Sequence, residues 1–151
     1  MMNNKNKTFS VTMLIILGVL TLIKIFFLVL MGWDSSGYSF SERFMSNFYS
    51  ITLVFWASQL AFIALILLFI SAALIDKKVS LGLSIGGVAC LFVNNPIEMC
   101  VSCFADISDS AKGVMSVFSW FVSIGIMAVG IVIMIKSIKI RTEERDKNLQ
   151  S

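Results

Sequence analysis

Polar and reactive residues are concentrated in the run from position 90 to 103, which reads CLFVNNPIEMCVSC. Cys100 and Cys103 form a Cys-x-x-Cys pair, which could close into a disulfide, stay as two inert thiols or act as a redox-active pair. The amides and the carboxylate before it could bind an ion, a proton or a small polar solute. The run lies within a long apolar segment, where polar side chains are costly and often mark a functional site. Those polar residues are Asn94, Asn95 and Glu98, and the only proline, Pro96, lies among them.

The surroundings of Cys100 and Cys103 favour thiolate chemistry only weakly. On a continuous helix the pair lies at the C-terminal end, where the helix dipole opposes a thiolate. The chain has three cysteines and no histidine, so it lacks a second cysteine pair for electron relay. The motif resembles that of membrane thiol oxidases in placement alone. Two thiolates supply half of a tetrahedral zinc site, so we expect no metal and no cofactor.

The elements that must position these residues are four long apolar segments. The 151 residues are 58% hydrophobic and 14% charged, far from the averages of soluble domains. The segments cover residues 9–31, 51–75, 79–99 and 114–135, each near the ~20 residues that cross a bilayer. We therefore predict an all-α, polytopic membrane protein of one domain, 1–151. It is a four-transmembrane-helix bundle followed by a polar cytoplasmic tail, 136–151.

The positions of lysine and arginine predict the topology. Positively charged residues are enriched in the cytoplasmic connections of membrane proteins. Nine of the twelve lie before the first segment, between the second and third, or after the fourth. This distribution predicts cytoplasmic termini in the plasma (inner) membrane. The net charge of +3 then reflects topology, and a nucleic-acid partner is not expected.

Polar residues from all four segments are predicted to share one layer in the outer leaflet. At ~1.5 Å per residue, Lys24 and Asn94 both lie ~22 Å from the inner edge. The inner half of the bundle is expected to hold almost no polar side chains. Lys24 could pair with Glu98, reach the headgroups alone, or form an ion or proton site. The predicted layer comprises Lys24, Gln59, Asn94, Asn95 and Glu98, with Ser119 and Ser123 from the fourth segment.

The third segment carries two further signals. Gly82 and Gly86 have the small-x-x-x-small spacing that allows two membrane helices to approach closely, and Cys90 extends this row. We expect the three residues to line a right-handed helix contact, within the chain or with another subunit. Pro96 predicts either a kink or a break, with Asn95 as the N-cap of a second helix.

No set of residues in the sequence indicates catalysis. A Gly-rich phosphate loop beside a strand and a nucleophile–histidine–acid set are both missing. The leading hypothesis is a non-enzymatic membrane protein that acts by self-assembly or by binding another membrane protein, of the accessory, immunity or membrane-defence type. The alternatives are an outer-facing thiol–disulfide protein that uses Cys100 and Cys103, and an oligomeric channel or small transporter that uses the polar layer. The bilayer itself is the remaining expected partner.

Overall fold

A computed structural model describes the backbone of residues 4–33, 48–104 and 110–149. Side chains are described for residues 4–27, 59–97, 99, 114 and 117–149. All of the described backbone is helical apart from one short turn, which confirms the all-α prediction. The helices are α1 (Asn4–Trp33), α2 (Phe48–Ala73), α3 (Lys78–Phe104) and α4 (Ser110–Leu149).

The helices have the length and composition that a lipid environment requires. In hydrocarbon every backbone N–H and C=O must be paired within the protein, and a helix pairs them locally. Three segments are long and apolar enough to cross a membrane: Asn4–Phe27, Lys78–Ile97 and Val117–Leu149. In α2 the described side chains form a shorter apolar segment, Gln59–Ala73, within a 26-residue helix. These features are consistent with an integral membrane protein.

Pro96 lies inside α3, which runs without interruption from Lys78 to Phe104. Of the two predicted alternatives, the break with Asn95 as an N-cap is wrong, because a single helix passes through this position. The kink stays a prediction. Proline has no N–H, so the carbonyl of residue 92 loses its helical donor, but Pro96 is exposed and its ring does not enter the bundle. Neighbouring turns maintain the helix on either side.

The helices form a ring in which each packs against its two neighbours in chain order, and α4 closes the ring on α1. A tight turn at residues 74–77 joins α2 to α3, with the Lys77 N–H donating to the Leu74 carbonyl at 2.8 Å. The start of α1 reaches this turn, because the Asn6 amide donates to Asp76 at 2.6 Å. The Arg141 guanidinium of α4 donates to the Lys77 carbonyl at 2.6 Å. Neighbouring helices thus run antiparallel.

These contacts gather the start of α1, the turn at 74–77 and residues 136–149 of α4 at one end, which we call the basic end. Nine lysine and arginine residues lie there or in the flanking turns: Lys5, Lys7, Lys77, Lys78, Lys136, Lys139, Arg141, Arg145 and Lys147. The side of the membrane that this end faces stays a prediction.

The buried seam of each helix has a repeat near 3.5 residues. In α3 the buried positions are 80, 84, 87, 91, 94 and 95, and in α4 they are 119, 123, 126, 130, 133 and 137. Alternating steps of three and four are typical of knobs-into-holes packing in left-handed bundles. The core between the seams contains Leu17, Leu68, Leu91, Ile126 and Ile133.

The buried seam of α3 does not follow the predicted row of Gly82, Gly86 and Cys90. Gly82 is exposed, and a Cβ placed on it would meet no described atom within 4 Å, so its contact with another subunit stays a prediction. Gly86 and Cys90 are partly buried at the edge of the seam. The close approach occurs instead at Gly87, where a Cβ would lie 2.8 Å from Leu68 Cγ, and at Gly130, where it would lie 3.0 Å from Leu68 Cδ2.

Candidate functional site

The candidate site is a group of buried polar side chains toward the end of the bundle opposite the basic end. Lys24 of α1 is 5% exposed, although it carries an ammonium group within a membrane-length helix. Its Nζ donates a hydrogen bond to Ser123 Oγ on α4. Ser123 Oγ in turn donates to the Ser119 carbonyl at 3.3 Å, and both Lys24 and Ser123 make further interactions. The lysine is therefore anchored inside the bundle by α4.

Asn94 of α3 is the least satisfied polar residue in this group. Its side chain is fully buried, yet neither Oδ1 nor Nδ2 has a hydrogen-bond partner in the described part of the chain. Buried polar atoms in native structures are nearly always paired, and an unpaired amide costs several kcal/mol by cyclohexane transfer and about 1–3 kcal/mol by mutational measures. Asn94 therefore presents one acceptor and two donors for a water molecule, an ion or a polar solute.

Asn95 adds a second incompletely paired amide beside the first. Its Nδ2 lies 3.5 Å from the sulfur of Met127, a weak acceptor, while Oδ1 has no partner among the described residues. Both amides occur just before Pro96 on the turn of α3 that faces α4. The two asparagines offer neutral dipoles of both polarities, which suits binding and reorientation of a polar group more than proton transfer.

The predicted polar layer is brought together only in part. Lys24, Asn94, Asn95, Ser119 and Ser123 are each buried, and hydrogen bonds join Lys24 to Ser123 and Ser123 to the Ser119 carbonyl. Gln59 is exposed on the outside of α2 and does not join them. The Glu98 side chain lies outside the described residues, so its pairing with Lys24 stays a prediction.

The cysteine hypothesis is likewise untested, because the side chains of Cys100 and Cys103 also lie outside the described residues. Cys90 is a free, partly buried thiol that packs against the core. Within the described residues no group of three or more histidine, cysteine or acidic side chains could hold a metal ion.

Sequence reasoning missed a second polar layer near the basic end, where almost no polar residues were expected. Ser80 Oγ lies 3.0 Å from both Ser71 Oγ and Ser137 Oγ, and it donates to the Ser71 carbonyl at 2.9 Å. Ser10 of α1 donates to the Ala72 carbonyl at 2.7 Å. This serine layer joins all four helices and satisfies its own hydroxyls. On α4 the available signal was the spacing of Ser123 and Ser137, which lie two heptads apart.

The two layers differ in chemistry as well as position. The serine layer is closed, since its hydroxyls pair with one another and with backbone carbonyls. Asn94, in contrast, has amide atoms without a hydrogen-bond partner among the described residues. Comparison with protein families, curated proteins and solved structures gives no match.

Proposed function

We propose that this chain is a non-enzymatic integral membrane protein that works by assembling with copies of itself through the outer face of α2. The observation that carries the proposal is Gln59, an amide on the outside of the bundle. It is eleven residues from the start of α2 and fourteen from its end, or ~16 and ~21 Å along the helix axis. Gln59 is thus close to the middle of the helix, where a bilayer offers no hydrogen bonds.

The residues around Gln59 form a continuous outer seam. Phe62, Ile63, Ile66 and Ile70 are 61%, 46%, 43% and 42% exposed. Together with Gln59 they follow the three-and-four spacing of a coiled-coil seam. A single polar residue in such a seam specifies register and oligomeric state. The outer face of α2 therefore has both an apolar surface and a register-setting amide.

A second copy of the chain is the partner that this amide fits best. Copies inserted in the same orientation are related by a rotation axis along the membrane normal, which places each Gln59 at the same depth as its counterpart. A glutamine amide is both donor and acceptor, so two of them can pair without another residue type. Amides, serines and threonines commonly bridge membrane helices in this way.

Cysteine crosslinking in native membranes tests the interface. In a cysteine-free background, single cysteines at positions 59, 66 and 70 are expected to form homodimeric disulfides. Position 68 faces the core, and position 92 lies on the exposed face of α3, so both serve as controls. Equal crosslinking at positions 66 and 92, or none at any position in the outer seam, would contradict the proposal.

The contribution of the amide can be measured separately. Interhelical hydrogen bonds in membranes contribute about 0.6 kcal/mol on average and up to about 1.7 kcal/mol. Gln59→Leu is therefore expected to raise the dimer dissociation constant about 3- to 20-fold, measured by single-molecule photobleaching in bilayers. Gln59→Asn retains the amide and serves as the matched variant. An unchanged dimer dissociation constant in Gln59→Leu would show that the amide does not set the register of the dimer.

Asn94 favours a second candidate function, the passage of a small polar solute or ion through the bundle. Buried ionisable and amide groups inside membrane proteins commonly line such paths. Flux into liposomes that carry the protein, reduced by Asn94→Leu or Glu98→Gln, is the expected result. Absence of flux for water, monovalent ions and small neutral solutes would exclude this candidate.

A further inference from the structure

The basic end contains a cleft of about 840 Å³ that neither the assembly seam nor the buried polar layer uses. Its walls come from the start of α1, the turn between α2 and α3, and the last part of α4. The volume lies within the range of small-molecule sites, about 300–1,000 Å³. The site is thus large enough for a lipid headgroup with its glycerol unit.

The lining of the cleft is strongly cationic. Five lysines line it: Lys5, Lys77, Lys136, Lys139 and Lys147. Three carboxylates also line it, Asp76, Glu143 and Glu144, which leaves a net charge of +2. Lys77, Lys139 and Lys147 have no ion-pair partner in the described part of the chain. Several ammonium groups are therefore available to an anion.

The cleft is held in shape by contacts between the helices that form it. Asp76 accepts a hydrogen bond from Asn6 at 2.6 Å, so one of the three carboxylates is already engaged. Arg141 holds the turn through the Lys77 carbonyl, which fixes the backbone that carries the Lys77 side chain. Lys136 lies 5.8 Å above the centre of the Phe9 ring. The binding surface is consequently built before any ligand arrives.

The position of the cleft indicates what kind of anion it takes. Its floor includes Ala73, Leu74 and Ile140, and it lies where the apolar parts of α2 and α4 give way to charged residues. A phospholipid at this depth has its phosphate beside the lysines and its first acyl carbons beside the apolar floor. Basic pockets between membrane helices bind anionic headgroups in this manner. Glu143 and Glu144 can accept hydrogen bonds from headgroup hydroxyls.

We propose that the cleft at the basic end binds the phosphate and glycerol headgroup of an anionic phospholipid. Lysine ammonium groups neutralise the phosphodiester, and the apolar floor receives the upper acyl chains. A soluble ligand such as glycerol phosphate carries the same phosphate group as the lipid. The test must therefore distinguish binding of the lipid from binding of free glycerol phosphate.

Native mass spectrometry of the full chain in detergent provides the test. The probes are phosphatidylglycerol, phosphatidylcholine with the same acyl chains, and free glycerol phosphate. The expected result is selective retention of phosphatidylglycerol. The double variant Lys139→Gln/Lys147→Gln is expected to lower its retention about 5- to 25-fold, since each lysine near a membrane surface contributes about fivefold. Both side chains are exposed, so the fold does not depend on them.

Lys78→Gln/Arg145→Gln is the matched control, because it removes the same charge from two exposed residues that do not line the cleft. This control variant is expected to retain phosphatidylglycerol to within about twofold of the unaltered protein at physiological salt, where charges outside the cleft are screened. Equal losses in the two double variants, or equal retention of phosphatidylcholine, would overturn the proposal. Displacement of the lipid by an equal concentration of glycerol phosphate would overturn the lipid assignment in favour of a soluble phosphate ligand.

Discussion

Replacement of Gly87 by alanine probes the closest helix contact in the bundle. A Cβ at this position would lie 2.8 Å from Leu68 Cγ, 2.9 Å from Leu68 Cδ2 and 3.2 Å from the Ala64 carbonyl oxygen. Leu68 is fully buried and also lies against Gly130, so its side chain has no free space to occupy. The carbonyl belongs to the backbone of α2 and cannot rotate away. Gly87→Ala must therefore push α2 and α3 apart.

The size of the effect follows from comparison with Gly82→Ala. Alanine in place of a helical glycine stabilises a helix by about 0.5–1 kcal/mol. Gly82 has open space around it, so its alanine variant is expected to show this gain alone. Overpacking of a well-packed core costs about 1–3 kcal/mol. The gain from replacing a helical glycine by alanine is common to both variants. The free energy of unfolding of Gly87→Ala is therefore expected to be about 1–3 kcal/mol lower than that of Gly82→Ala.

Unfolding in mixed micelles with an increasing fraction of dodecyl sulfate, followed by far-ultraviolet circular dichroism, measures this difference. The two variants have the same composition, so denaturant binding to the unfolded chain is matched. Equal unfolding midpoints for Gly87→Ala and Gly82→Ala would refute the close approach of α2 and α3 at Gly87. A lower midpoint for Gly82→Ala would reverse the assignment of the packing face.

Three further changes test the polar layers. Asn94→Leu removes two unpaired polar atoms and is expected to raise the free energy of unfolding by about 1–3 kcal/mol, unless a bound solute satisfies the amide, in which case stability falls. Ser80→Ala leaves the neighbouring hydroxyls in the serine layer without their shared partner and is expected to cost about 1–3 kcal/mol in the same micelle titration. Lys24→Met and Glu98→Gln are expected to be non-additive in a double-mutant cycle, and strictly additive effects would exclude an ion pair between them.

The four helices were predictable because a membrane leaves the backbone few choices. Long apolar segments must form helices, and the short connection at 74–77 forces α2 and α3 to be antiparallel neighbours. The predicted segment 51–75 runs two residues past the end of α2 at Ala73, because the turn begins at Leu74. Hydropathy marks the depth of a residue within a few positions but carries little information on local turns.

The direction in which each residue faces was harder to predict. The Gly82 and Gly86 spacing shows that α3 could approach another helix closely, but lipid also tolerates glycine, so the motif does not fix the buried side. Ser80 and Ser84 on the three-and-four seam would have been the better guide, since hydroxyls gain hydrogen bonds inside the bundle. Lys24 and Asn94 are both buried, and their shared depth stays a prediction. Gln59 was not placed correctly, because depth along α2 does not determine which side of the helix a residue occupies.

Hydrogen-bond satisfaction separates the packing role of polar residues in this bundle from their candidate binding roles. The serines near the basic end pair with one another and with backbone carbonyls, so replacement by alanine affects stability alone. Asn94 and Gln59 differ from them, since each has an amide at membrane depth that no described residue satisfies. One amide faces the interior and the other faces outward, so a single ligand cannot serve both. We propose that a solute or water within the bundle pairs with the buried amide and that a second copy of the chain pairs with the exposed amide. The two sites are therefore separable by mutation, and the weaker assembly of Gln59→Leu is expected to leave the Asn94 site intact.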